Sequence, residues 1–205
     1  MRYADAVTTT DSRAPGRPRQ FDEDMVLDLA TEVFWEQGYA NTSVADLVDA
    51  TGVHKPSLYR TFGSKDELFA RVLRRYVTTR MGALAERVES TTSGPDGLRQ
   101  FLAAIRDDLV DGVASRGCLL VASSSELRGS TPGFENFGTI YREAIRDVLR
   151  PLVARSGGSA AEVDHRTRVL ATWMLGLDVT TRGGADADEL DHAIDAMVEI
   201  VDTWA

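Results

Sequence analysis

The stretch from Thr42 to Phe69 constrains the fold of this chain more than any other part of it. Two short runs with apolar residues at helical spacing flank a turn in which Gly52 can adopt a left-handed conformation. Pro56 stands in the first turn of the second run, where a missing amide costs no intrahelical hydrogen bond. Leu58 and Phe62, four positions apart, anchor one side of this second helix and leave the other side polar. The pattern predicts a helix-turn-helix whose second helix can enter the major groove of DNA.

A long helix is predicted to follow this motif. Gly63 interrupts the second helix, and Ser64 with Glu67 three residues later has the sequence of a capping box. Apolar residues at spacings of three and four then continue as far as Val88. A helix that begins in the motif and runs into the next part of the chain can carry movement from one to the other.

The remainder of the chain also has helical periodicity, interrupted by short joints rich in glycine, serine and proline. The apolar run from Cys118 to Val121 is compatible with a short strand, but helical patterns on both sides favour a helix. The predicted fold class is therefore all-α, with about nine helices.

Charge is distributed unevenly over the 205 residues. A net charge of −9 is unusual for a DNA-binding protein, because basic surface normally supplies the counterion release that drives binding. However, residues 13–80 carry ten basic and ten acidic side chains, whereas residues 81–205 carry twelve and twenty. Within the first part, residues 50–65 hold three basic residues and no acidic one. The negative excess therefore lies away from the predicted motif and does not argue against DNA binding there.

Several protein classes are made improbable by what the sequence lacks. No stretch approaches the ~18 consecutive apolar residues of a membrane span, and the first twelve residues lack the apolar block of a secretory signal. No GxSxG, P-loop, GxGxxG or HExxH motif is present, and the three histidines are scattered. A single cysteine cannot form an internal disulfide. We therefore expect a cytoplasmic protein that is not an enzyme, does not bind a membrane and has no metal or other cofactor.

The run TSVADLVDATGVHKPSLYRTFGSKDELFARVL resembles the signature of the TetR family of transcriptional regulators, and DLATEVFWEQGYANTSV is similar to the family's first helix. The resemblance covers Phe21 to Tyr76. It implies a three-helix DNA-binding domain over residues 17–65 and a larger helical ligand-binding and dimerisation domain over residues 66–205, preceded by a disordered tail over residues 1–16. The implied partners are double-stranded operator DNA, a second copy of the chain and a small-molecule effector.

The resemblance also implies which side chains contact DNA. Tyr59 and Lys65 match residues that reach the phosphate backbone, and an arginine arm is similar to arms that enter the minor groove. Val44 stands where some members read a base with a polar group, so it can only touch a thymine methyl. The full predicted set is Arg17, Arg19, Thr42, Ser43, Val44, Lys55, Pro56, Ser57, Tyr59, Thr61 and Lys65.

A helical sensor domain requires an apolar cavity, which large side chains of its helices would line. Each such side chain could equally belong to the ordinary core. Cys118 has two interpretations: a small buried hydrophobe, or a reactive thiol that would make the protein a redox or electrophile sensor of the same fold. The predicted lining is Phe101, Ile105, Cys118, Phe137, Tyr141, Trp173, Met174 and Leu177.

The last helix carries apolar residues spaced alternately by four and three, which is the spacing of an a/d seam. Such a seam either docks on its own domain or pairs with a second subunit, and the family resemblance favours the second. The predicted interface consists of Leu190, Ile194, Met197, Val201 and Trp204. The resemblance thus implies a homodimeric repressor whose ligand moves the long helix and releases a palindromic operator.

Overall fold

The computed structural model of the protein describes residues 21–110, 117–124 and 137–204, and these residues form nine α-helices and no β-strand. The all-α prediction is confirmed. The predicted tail and the arginine arm with Arg17 and Arg19 lie outside the described residues. The helices are α1 (Glu23–Gln37), α2 (Val44–Thr51), α3 (Lys55–Phe62), α4 (Lys65–Glu89), α5 (Pro95–Val110), α6 (Leu119–Ser124), α7 (Phe137–Arg155), α8 (Ala160–Arg182) and α9 (Ala187–Asp202).

The first four helices pack around an aromatic core. The carboxylate of Asp22 accepts a hydrogen bond from the amide of Asp24 at 2.9 Å and so caps the start of α1. The Phe34 ring of α1 packs on the Phe69 ring of α4, with centroids 4.6 Å apart. These contacts hold α1 against α4 and leave α2 and α3 at the edge of the small core.

The long helix α4 begins with the predicted capping box. The amide of Glu67 donates to the Ser64 hydroxyl at 3.2 Å, and the amide of Ser64 donates to the Glu67 carboxylate at 2.8 Å. Over its 25 residues α4 packs first against α1 and α3 and then against α5, α6 and α7. One unbroken helix therefore belongs to the packing of both halves of the molecule.

The other helices form the larger half of the molecule. The helix α7 packs along α8, and α5 packs along α9. The ambiguous run at Cys118 does lead into a helix, α6, as predicted. None of the helices in the described parts of the chain is long and apolar enough to cross a membrane.

The apolar seam of α9 faces its own subunit, which differs from the interface predicted for it. Ile194 is 1% exposed, and Met197 and Val201 are equally buried in the core that α9 shares with α5. Leu190 is buried as well, and Trp204 packs partly buried at the end of the helix. A second subunit cannot reach side chains that the chain has already covered, so Leu190, Ile194, Met197 and Val201 are corrected to intrasubunit contacts, whereas the contact predicted for Trp204 stays a prediction.

Candidate nucleic-acid interface and internal cavity

The turn between α2 and α3 has the predicted geometry. Gly52 lies in the left-handed region, at φ 67° and ψ 7°, and its amide donates to the Val48 carbonyl at 2.9 Å. The next residue, Val53, is buried between the two helices. A left-handed residue followed by a buried valine turns the chain sharply and sets the direction in which α3 leaves α2.

One face of α3 is buried and the opposite face is open. Leu58 and Phe62 point into the core, as their spacing predicts, whereas the Tyr59 side chain is 42% exposed. The Lys55 ammonium lies 5.9 Å from the centre of the Tyr59 ring, so cation and phenol share a surface. The other predicted contact residues of α3 are exposed or half-buried on the helix: Pro56, Ser57 and Thr61.

The three predicted contact residues at the start of α2 differ in how far they are exposed. Thr42 is 2% exposed, and its hydroxyl donates to the Gly38 carbonyl at 2.6 Å. This burial contradicts a phosphate contact by the Thr42 side chain, since its only hydroxyl proton is used inside the protein. Ser43 is exposed and caps α2: its hydroxyl oxygen accepts a hydrogen bond from the Asp46 amide at 3.2 Å, and its own amide donates to the Asp46 carboxylate. Val44 is half-buried at the first position of α2.

Lys65 is bound within the protein. Its ammonium donates to the backbone carbonyls of Tyr39 and Thr42, each at 2.7 Å, and lies 4.3 Å from the centre of the Tyr39 ring. The Tyr39 hydroxyl donates a hydrogen bond to Asp66. The pKa of Tyr39 is raised, mainly because the phenol is buried and secondly because of this hydrogen bond. Lys65 thus ties the α1–α2 connection to the start of α4. Sequence reasoning missed this clamp because its partners are 23 and 26 residues away and are backbone atoms.

A cavity of about 380 Å³ lies between α4, α5, α7 and α8 and is bordered by Trp35 of α1. This volume is at the lower end of the range for small-molecule sites, roughly 300–1,000 Å³. Four of the eight predicted lining residues do border it: Ile105, Tyr141, Met174 and Leu177. The other four, namely Phe101, Cys118, Phe137 and Trp173, are core or partly buried residues outside its lining.

A polar cluster forms part of the cavity wall. The Arg80 guanidinium donates from Nη2 to Asp178 at 2.8 Å and from Nε to the Tyr141 hydroxyl at 2.9 Å. Burial raises the pKa of Tyr141 and of Asp178, although the nearby Arg80 charge opposes the rise at Asp178. The phenol therefore stays protonated at neutral pH and serves as a hydrogen-bond partner.

Cys118 lies behind this cluster. Its thiol is fully buried and donates to the Tyr141 hydroxyl at 3.3 Å. Reactive thiols need access to solvent, so this position favours the structural interpretation of Cys118 over a redox or electrophile sensor. In the described ranges, moreover, no group of three histidine, cysteine, aspartate or glutamate side chains could hold a metal ion.

A second ion pair borders the cavity two helical turns further along α4. Arg87 donates two hydrogen bonds to the Asp108 carboxylate of α5, one from Nη1 and one from Nη2, the latter at 3.0 Å. Nη1 also donates to the Ala104 carbonyl at 3.2 Å. Sequence reasoning missed Arg80 and Arg87 because an arginine on a long helix is usually a solvated residue. The two arginines are seven positions apart, which is two helical turns, so they lie on the same side of α4. This spacing on a helix with an apolar face is the signal that could have identified them.

Comparisons with known proteins extend over both regions. Residues 26–72 match the model of the bacterial regulatory proteins of the tetR family. The HTH-type transcriptional repressor BdcR of Escherichia coli strain K12 is 32% identical over 186 residues, covering 90% of this chain and 91% of that protein. The HTH-type transcriptional repressor ComR of the same strain is 30% identical over 185 residues, covering 87% and 88%.

The solved structures include a close match in fold. A cysteine mutant of the TetR family transcriptional regulator CifR, complexed with 26-base-pair double-strand operator DNA, is similar with a TM-score of 0.73 and 26% identity. The match covers 89% of this chain and 98% of that one. Similarities of this length extend beyond the helix-turn-helix into the helices that enclose the cavity.

Proposed function

The chain belongs to the tetR family of bacterial regulatory proteins, and we propose that it is a homodimeric repressor that a small molecule releases from a palindromic operator. Membership makes it a DNA-binding transcriptional regulator and not an enzyme. The observation that carries the finer proposal is that α4 starts beside the DNA-reading helix and forms a wall of the cavity.

The DNA-reading surface in this proposal is the open face of α3 together with the cap of α2. Lys55 and Ser57 contact base edges, and Tyr59 contacts phosphate. Ser43 adds a hydroxyl at the start of α2, where the helix dipole favours an anion. Lys65 contributes by holding the α1–α2 connection in position, since two of its three donors are used on carbonyls there.

The dimer interface in this proposal is the outer face of α8 and α9. Val179 is 56% exposed and Ile200 is 42% exposed, although both are large and apolar. Gly176 lies one turn before Val179, and nothing in the described part of the subunit would lie within 4 Å of a Cβ built there. A glycine inside a helix costs ~1 kcal/mol relative to alanine, and the close approach of a partner helix would account for it.

Ligand release follows from the shared helix. A molecule in the cavity contacts α4 along the turns that carry Arg80, Leu84 and Arg87. Any shift of α4 that the ligand favours also moves its start at Lys65, and with it the clamp on the α1–α2 connection. The two reading helices of a dimer must match successive major grooves, so a small change in their separation weakens operator binding.

The decisive experiment is selection of random oligonucleotides by the purified full chain, combined with light scattering of the protein–DNA complex. We expect an enriched motif made of two inverted half-sites and an even number of chains on each duplex. An asymmetric motif bound by one chain, or no enriched motif at all, would refute the proposal.

A further inference from the structure

The cavity wall contains charges that already neutralise one another. Among its described lining residues, Arg80, Arg87, Asp108 and Asp178 are the charged ones, and each arginine is paired with one aspartate. Most of the other lining side chains are apolar, such as Leu84 of α4. The described wall therefore carries no net charge and offers no unpaired ion to a ligand.

A terminal nitrogen of Arg80 is a strong hydrogen-bond donor that is left unused at this wall. Both terminal nitrogens of Arg87 are bound to protein acceptors. At Arg80, by contrast, Nε and Nη2 are bound, while Nη1 has no acceptor among the described residues. Nη1 is not a buried atom without a partner, and Arg80 lines the cavity. This nitrogen is therefore not enclosed by protein atoms.

We propose, on the basis of the effector role assigned above to the cavity, that the effector is an uncharged, mainly hydrocarbon molecule whose acceptor oxygen binds Nη1 of Arg80. A ketone or ester carbonyl has the required chemistry. It gains a charge-assisted hydrogen bond and leaves the Arg80–Asp178 pair intact.

Charged ligands are disfavoured by the same pair. An anion that binds Nη1 of Arg80 places a second negative charge near the carboxylate of Asp178, whose side chain is only 13% exposed. A cation that binds Asp178 displaces Arg80. The anion is repelled by a buried carboxylate and the cation leaves a buried guanidinium without its partner, so each cost opposes what the ligand gains.

The test compares four probes that share a phenyl ring and a four-carbon chain: benzylacetone, butylbenzene, phenylbutyrate and phenylbutylamine. Their affinities for the full protein are measured by calorimetry without DNA. We expect the ketone to bind about tenfold more tightly than the hydrocarbon, and both ions to bind more weakly than the hydrocarbon. Phenylbutyrate or phenylbutylamine binding as tightly as benzylacetone would overturn the inference, and so would the failure of all four probes to bind.

Two double variants test which ion pair is responsible for the tighter binding of the ketone. Arg80→Gln with Asp178→Asn removes both charges at the proposed contact, and we expect the ketone's advantage to fall to about twofold or less. Arg87→Gln with Asp108→Asn makes the same change at the other ion pair and should leave the advantage intact. If the first variant does not fold, Arg80→Lys replaces it, because lysine keeps the charge but loses the planar fork that presents Nη1. An advantage that survives at Arg80 contradicts the inference.

Operator binding by the ligand-free protein is measured separately, so the two proposals fail independently. Loss of the ketone preference with normal operator binding overturns only the effector class. Absence of operator binding with a normal ketone preference overturns only the repressor proposal.

Discussion

At the scale of single residues, the two lysines of the chain have different surroundings although both lie in the DNA-binding motif. Lys55 is exposed on α3. Lys65 donates to two backbone carbonyls that belong to the α1–α2 connection. The same residue type is therefore free to meet DNA at one position and is bound inside the protein at the other.

Replacing each lysine by methionine separates these roles. Lys65→Met should lower the free energy of unfolding by about 1–3 kcal/mol, because it leaves two carbonyls without their charged donor. Lys55→Met should change it by less than about 0.5 kcal/mol, since its ammonium is solvated. Urea denaturation followed by circular dichroism measures both. Equal stability of the two variants would show that the Lys65 clamp does not hold in solution.

The open face of α3 gives a second prediction at this scale. Ser57→Ala and Lys55→Met should each change the selected motif at one or two positions per half-site, at a cost of about 1–3 kcal/mol for the preferred base. Arg60→Met is the control, because Arg60 is exposed on the same helix and donates to Ser57 without being assigned a base. A motif that neither substitution alters would mean that another face of α3 enters the groove.

At the scale of elements, periodicity predicted where helices are and which faces they bury, but not what covers those faces. The caps at Asp22 and Ser64 and the left-handed Gly52 depend on neighbours within four residues, so the sequence predicts them directly. The seam of α9 meets α5, which is some 90 positions earlier in the chain. Spacing alone does not distinguish that partner from a second subunit.

The candidate site was predictable to the same extent. The exposed polar face of α3 follows from the positions of Leu58 and Phe62. Membership of the cavity wall, by contrast, depends on the packing of four helices. Such contacts between distant segments determine which apolar residues border empty space and which fill the core, and a single sequence contains no periodic signal for them.

Introducing one glutamate on each face of α9 tests which face packs inside the subunit and which face meets a partner. Ile194→Glu should destabilise the subunit by roughly 3–5 kcal/mol, because the charge is buried against α5 without a partner. Ile200→Glu should leave the subunit folded and shift it to monomers, because Ile200 lies on the outer face. Circular dichroism and sedimentation equilibrium measure fold and mass. A folded, dimeric Ile200→Glu protein would place the interface on another surface.

At the scale of the whole molecule, α4 connects the helix-turn-helix to the cavity. Its 25 residues span about 37 Å, from the Lys65 clamp through the ion pairs of Arg80 and Arg87 to Val88 in the core. The excess negative charge lies in the half that encloses the cavity, whereas the half that carries the reading helix is close to neutral. The excess charge therefore repels DNA from the cavity end more than from the helix-turn-helix end, and α4 is the element that joins the two ends.

Two glycines inside long helices test the proposed assembly with a matched pair. Gly82 of α4 and Gly176 of α8 are both exposed, and a Cβ at either would meet nothing within 4 Å in the described part of the subunit. Gly82→Leu and Gly176→Leu should therefore each raise the helical stability of the isolated subunit, by somewhat less than ~1 kcal/mol. Within one subunit the two changes are equivalent.

In the dimer the two changes should differ, because only Gly176 lies on the proposed interface. A leucine there would be pressed against the partner helix and should weaken association by about 1–3 kcal/mol per subunit. Operator affinity should fall with it, since a single reading helix loses the effective concentration that the second provides. Gly82→Leu should dimerise and bind the operator as the original protein does. Sedimentation equilibrium and operator titration measure both quantities, and equal dimerisation of the two variants would mean that the glycine in α8 is not there to admit a partner.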